Sequence, residues 1–99
     1  MLESNPKHKP ENYVEHTLST LVLVHKIKTL CPKASSIFDL GCSSGRVLNE
    51  LLKNQYINLY GCDINDTKVV MNENFPLLSS YFETNSNRLF VGKNGNFLN

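Results

Sequence analysis

Apolar positions along the chain change their spacing several times, and each change predicts an element. From Glu11 to Leu30 the residues Val14, Leu18, Leu21, Val22, Leu23, Val24, Ile27 and Leu30 mostly follow helical spacing, with an aliphatic block in the middle. Pro10 stands where a helix tolerates a missing N–H. Cys31-Pro32 stops the helix, because the residue before proline avoids the helical region. Ser36–Leu40 is a short apolar run between a Lys-Ala-Ser-Ser turn and a glycine, which predicts a buried strand. After the small-residue stretch Gly41–Gly45, the residues Val47, Leu48, Leu51 and Leu52 share one helix face that ends near Lys53-Asn54. A second strand spans Ile57–Cys62 and ends at Asp63. Another helix begins near Asp66 and carries Val69, Val70 and Met71. Pro76 ends or kinks it and opens a further turn with Leu78 and Phe82. Arg88–Val91 predicts a third strand, and Gly92–Asn99 is too short for another full unit.

Alternation of helix and strand in this order predicts an α/β fold: a Rossmann-like parallel sheet with flanking helices, of which only the first three strands are present. Residues 1–10 read as a flexible lead-in, and 11–99 as the domain. Ninety-nine residues make one domain at most, with a thin stability margin. Ten Lys/Arg against nine Asp/Glu leave no electrostatic footprint for nucleic acid or an anionic membrane. The aliphatic run Leu21–Val24 is far below the ~20 residues of a membrane span. No secretory signal is visible, and the three cysteines lack zinc-ligand spacing, so they read as free thiols of a cytoplasmic protein. His16 and His25 fall on opposite sides of the first helix, which argues against a shared metal site. That helix reads as core packing and a partial lid rather than a surface for a partner.

The chemistry concentrates in Phe38-Asp39-Leu40-Gly41-Cys42-Ser43-Ser44-Gly45-Arg46, with Asp63 ending the next strand. A parallel strand must turn sharply into a helix there. Gly41 and Gly45 allow backbone angles that a β-carbon forbids, and small residues let a ligand approach the backbone. Ser43 and Ser44 are N-cap candidates. The helix N-terminus offers unpaired N–H groups and partial positive charge. Asp63 reaches the same carboxyl edge, where a carboxylate can accept bonds from both ribose hydroxyls. The dinucleotide fingerprint fails, because Ser43 and Arg46 occupy two of its three glycine positions, and no phosphate loop ending in Gly-Lys-Ser/Thr exists. Arg46 reads as a solvated first-turn residue, and Cys42 as a small loop residue rather than a nucleophile.

The alternation Asp39-x-Gly41-x-Ser43-x-Gly45 resembles motif I of class I S-adenosylmethionine-dependent methyltransferases, with serine where glycine is commonest. Asp63-Ile64-Asn65 resembles the acidic segment that follows it in that family. The likeness continues through Met71–Pro76 and Leu89–Gly92, covering most of the chain from about Tyr13. It implies that Asp39 contacts the methionine amino group, and that Gly41, Cys42, Ser43 and Gly45 line the methionine portion. Asp63 would hold the ribose and Ile64 pack on adenine, with Lys93 or Asn94 in the region of the adenine edge. The implied cofactor is S-adenosylmethionine, and the implied activity methyl transfer to an acceptor that the sequence does not identify.

In that family a fourth strand pairs with the free side of the first. Its absence would make residues 37–40 an edge, an invitation to self-association. The expectation is therefore the cofactor-binding part of a methyltransferase, shortened by truncation, frameshift or gene-model error. The alternatives are a nucleotide-binding module of another Rossmann type and a non-catalytic interaction fragment. No catalytic residue is nominated, since methyl transfer depends mostly on positioning.

Overall fold

Proline decides where the first helix ends. In the computed structural model, which describes residues 10–92 with side chains from Glu15 onward, α1 runs Pro10–Leu30. Cys31 then donates its N–H to Ile27 O at 2.7 Å just before Pro32. Thr17, Thr20, Val24, Ile27 and Cys31, spaced three and four apart, form one buried to half-buried stripe that seats α1 on α2. Leu18, Leu21, Val22, Leu23 and Leu30 of the same helix stay exposed. Core packing thus accounts for one of its apolar faces.

Helix α2 spans Arg46–Lys53. Its N-cap is Gly45, at φ +96°, with no side-chain cap, so neither Ser43 nor Ser44 takes the role expected of it. The helix ends in a Schellman motif: Tyr56 N–H reaches Leu51 O at 3.1 Å and Gln55 N–H reaches Leu52 O at 3.0 Å. Gln55 sits at φ 68°, where glycine is usual. The fully buried Tyr56 and Leu51 supply the apolar side of the motif.

Strands β1 (Ser36–Leu40), β2 (Asn58–Asp63) and β3 (Leu89–Val91) form one parallel sheet in the order β1-β2-β3. β1 has the bounds the apolar run predicts. β3 starts one residue later than expected, because Ser86–Arg88 forms a 3-10 turn. Pro76 divides the third helix into α3 (Lys68–Asn74) and α4 (Pro76–Thr84), with the proline in the first turn of α4. β1 lies at a sheet edge among the described residues, as the three-strand reading expects.

Pairing puts Ile37, Asp39, Leu59, Gly61, Asp63, Leu89 and Val91 on one face and Phe38, Leu40, Tyr60, Cys62 and Phe90 on the other. The core forms on the first face, where Leu59 joins Leu48, Leu51, Met71, Leu78 and Phe82. On the second face Phe38 stacks near-parallel to Tyr60 at 5.8 Å and to Phe90 at 6.4 Å.

β3 pairs with β2 only from Gly61 onward, so the start of β2 lacks a strand on that side. Tyr81 and Arg88 take its place. The Tyr81 hydroxyl donates to Ile57 O and accepts Leu59 N–H at 3.1 Å and Arg88 Nη1 at 2.9 Å. Arg88 Nη1 also donates to Ile57 O at 3.1 Å. Cys31, Cys42 and Cys62 are all free. No helix among the described residues is long and apolar enough to cross a membrane.

Two substitutions test these local devices. Tyr81→Phe removes the acceptor for Leu59 N–H and the donor to Ile57 O; the expected loss is about 1–3 kcal/mol of unfolding free energy in urea. Gln55→Gly relieves the left-handed residue and is expected to raise stability by roughly 0.5–1 kcal/mol in the same measurement.

Candidate functional site

Asp39 pairs with Gly61 in the parallel register, and Asp63 lies two residues further along β2. Both carboxylates therefore sit on the same sheet face, at its carboxyl edge. That face carries the helices' core, so the two acids meet partial burial and each other.

The turn between β1 and α2 folds over this edge through three left-handed residues: Gly41 at φ +75°, Ser43 at φ 54° and Gly45 at φ +96°. Gly41 N–H and Cys42 N–H both reach Cys62 O at 2.8 Å, and Gly45 N–H reaches Cys42 O at 2.9 Å. Ser43 N–H reaches Asp63 Oδ2 at 2.9 Å, while Asn65 N–H takes Oδ1 of the same carboxylate at 2.9 Å. Asp63 thus ties the glycine turn to the loop after β2. Gly92 N–H, bonded to Asn65 O at 3.2 Å, brings the end of β3 into the same structure.

These bonds change the expected chemistry of the turn. The amides of Gly41, Cys42, Ser43 and Gly45 are already donated to protein acceptors, so they do not form a ready cradle for a ligand. What the turn offers is backbone surface. A β-carbon on Gly41 would meet nothing within 4 Å, which leaves open space beside that residue. At Gly45 a β-carbon would run into the Leu78 side chain and come within 3.2 Å of Met71 Cε. Gly45 is therefore demanded by core packing as well as by its φ.

Gly61 was not singled out by the sequence pattern, yet it controls the geometry. A β-carbon there would lie 2.9 Å from Leu48 Cδ1 and 3.1 Å from Cys42 Sγ. Its absence lets α2 and the turn lie directly on β2. The available signal was a glycine inside a strand, which marks a close approach.

Burial raises the Asp39 carboxyl above its ordinary value, and the nearby Asp63 charge adds to the rise. Burial, then Asp39 and Asp63, push the Cys42 thiol up to about 12, against a smaller lowering by its own backbone hydrogen bond. A thiol held protonated at neutral pH is a poor nucleophile, in keeping with a loop role. Ile64 follows Asp63 with 72% of its surface exposed. Arg46 is half-buried, its guanidinium 5.7 Å from the centroid of the Phe75 ring, rather than a plain solvated residue. Lys93 and Asn94 lie outside the described residues. All seven predicted site residues, Asp39, Gly41, Cys42, Ser43, Gly45, Asp63 and Ile64, belong to the ends of β1 and β2 and the segments that follow them. A cavity of about 450 Å³ opens elsewhere, between α3 and α4, and none of the seven lines it.

No protein-family model matches the chain, and comparison with curated proteins and with solved structures returns no match.

The raised Asp39 carboxyl has a stability consequence. In the folded chain it holds its proton to a higher pH than in the unfolded chain. Its penalty is absent below the ordinary carboxylate value and develops as pH rises through and above it. Asp39→Asn is accordingly expected to melt higher than the parent at pH 7, with the gap closing toward pH 3 (about one unit below the ordinary Asp value). Thermal melts across that range check this; an equal or lower melting temperature at pH 7 contradicts it.

Proposed function

We propose that the chain binds S-adenosylmethionine across the carboxyl edge of β1 and β2 and serves a methyltransferase of class I type in a cytoplasmic setting. The observation that carries this reading is the 2.9 Å bond between Ser43 N–H and the Asp63 carboxylate. It makes one site of the two segments that the motif resemblance assigns to opposite ends of the cofactor.

The residues fit such a ligand. A carboxylate has about four acceptor positions, and loop amides use two of those on Asp63. One position on each oxygen remains for a vicinal diol. Exposed Ile64 offers apolar surface for a purine. Open space beside Gly41 admits the methionine chain against backbone. Asp39, strained by burial and by Asp63, is relieved by a cationic amino group. When bound, S-adenosylmethionine supplies an electrophilic methyl on a sulfonium; the chain's residues hold and orient it. The free cysteines are in keeping with a reducing compartment. A nucleotide-binding module without methyl transfer uses the same Asp63 and diol, but has no need of a cation beside Asp39.

The test separates stability from binding in one variant. Asp39→Asn is expected to weaken S-adenosylmethionine about 10- to 100-fold in calorimetry while melting higher without ligand. Adenosine binding should change little, because Asp39 faces the other end of the ligand. Equal S-adenosylmethionine affinity in both proteins, or binding of adenosine nucleotides alone, overturns the methyltransferase reading.

A further inference from the structure

Helix α1 carries a second apolar stripe that the core does not use. With successive residues about 100° apart around a helix, Leu18, Leu21, Val22, His25 and Thr29 fall on one face, at intervals of three, one, three and four. Leu18, Leu21 and Val22 are 57%, 46% and 60% exposed. The stripe that packs on α2 is turned well away from this one. An amphipathic surface helix has one apolar stripe, and a second is surplus unless something covers it.

We propose that this stripe is the interface of a homodimer, in which α1 packs antiparallel against α1 of a second copy. The stripe is self-complementary about a two-fold axis that passes between Thr20 and Leu21. With the axis there, Leu21 lies within one residue's rise (about 1.5 Å) of its own counterpart, and Leu18 within the same offset of Val22 of the second copy, twice over. Such isologous pairing is how a single patch covers itself.

Charge selects the same occupant and the same direction. Glu15 and Lys26 are eleven residues apart, three turns, and flank the stripe on the same side. Within one helix they stand about 16 Å apart along the axis and cannot pair with each other. Antiparallel packing about the midpoint of Thr20 and Leu21 brings Glu15 of each copy level with Lys26 of the other, giving two ion pairs that frame the apolar contact. Parallel packing in register would set Glu15 against Glu15 and Lys26 against Lys26. A net charge of +1 leaves little bulk repulsion between copies. The dimer is independent of what the carboxyl edge of the sheet binds.

Sedimentation equilibrium of the 99-residue chain over a concentration series provides the test, with circular dichroism on every variant. The wild-type chain is expected to reach dimer mass. Val22→Asp, at an exposed position, is expected to weaken the dimer at least about a hundredfold with an unchanged helical spectrum. Glu15→Lys or Lys26→Glu alone should weaken it about three- to tenfold, and the two together should restore the parent constant. A monomer at all concentrations overturns the proposal. So does a dimer indifferent to Val22→Asp, which would place the contact elsewhere (the β1 edge included). A double charge exchange no tighter than the single ones overturns the antiparallel geometry.

Discussion

Much of this molecule depends on how closely α2 approaches β2. Gly61 has no side chain, so Leu48 and Cys42 occupy the space above it. Leu48 is fully buried there and anchors α2 to the sheet. With the helix held this low, the turn that enters it must cross the end of β2 within hydrogen-bond range. That is why Gly41 N–H and Cys42 N–H find Cys62 O, and why Ser43 N–H finds Asp63. One missing β-carbon thereby links the core to the candidate site. A larger residue at position 61 would lift α2, break the amide pairs and separate the two segments together.

The helix-strand alternation and the bounds of β1 follow from apolar run lengths and from Pro10, Pro32 and Pro76, because those signals are local. The segments that form the candidate site were legible for the same reason: small residues after a strand, and an acid after the next. Two features were hidden. Ser43, a cap candidate by local rule, instead adopts a left-handed conformation and gives its N–H to Asp63, a residue twenty positions away. A local capping rule cannot see a competing partner that the tertiary structure delivers. The double-faced character of α1 was hidden by the density of its aliphatic block. Spacing alone shows that the positions are apolar, whereas only the packed structure shows which of them the core leaves out.

The sheet is finished differently along its length. Beside the start of β2, where β3 has not yet begun, a tyrosine hydroxyl and an arginine do the work of a strand. They satisfy isolated donors and acceptors without adding another hydrogen-bonding edge, one of the ways a protein limits unwanted strand pairing. On the face away from the core, three aromatic rings from the three strands lie nearly parallel, with the Arg88 guanidinium 4.9 Å from the Tyr60 ring centroid. Arg88 therefore ties the edge of β2 to the aromatic face, and its charge is spread over both.

The carboxyl edge runs against the logic of the rest. Elsewhere among the described residues the buried polar side chains are uncharged: Tyr56 is matched with Cys31 O at 2.6 Å, while Asn49 Oδ1 and Thr67 Oγ1 are buried without a partner. Here two carboxylates share one face, one of them raised by burial and by the other. Asp63 is compensated by two amides, and no hydrogen bond or ion pair to Asp39 compensates it in the same way among the described residues. A small domain gains nothing in stability from such a group, since replacing it with a neutral isostere removes both penalties. Groups held in unfavourable electrostatic surroundings concentrate at binding sites, where a ligand relieves them. The proposed ligand would bring a cation to Asp39 and a diol to the acceptor positions that the amides leave open on Asp63. That match ties the instability of the edge to the chemistry proposed for it.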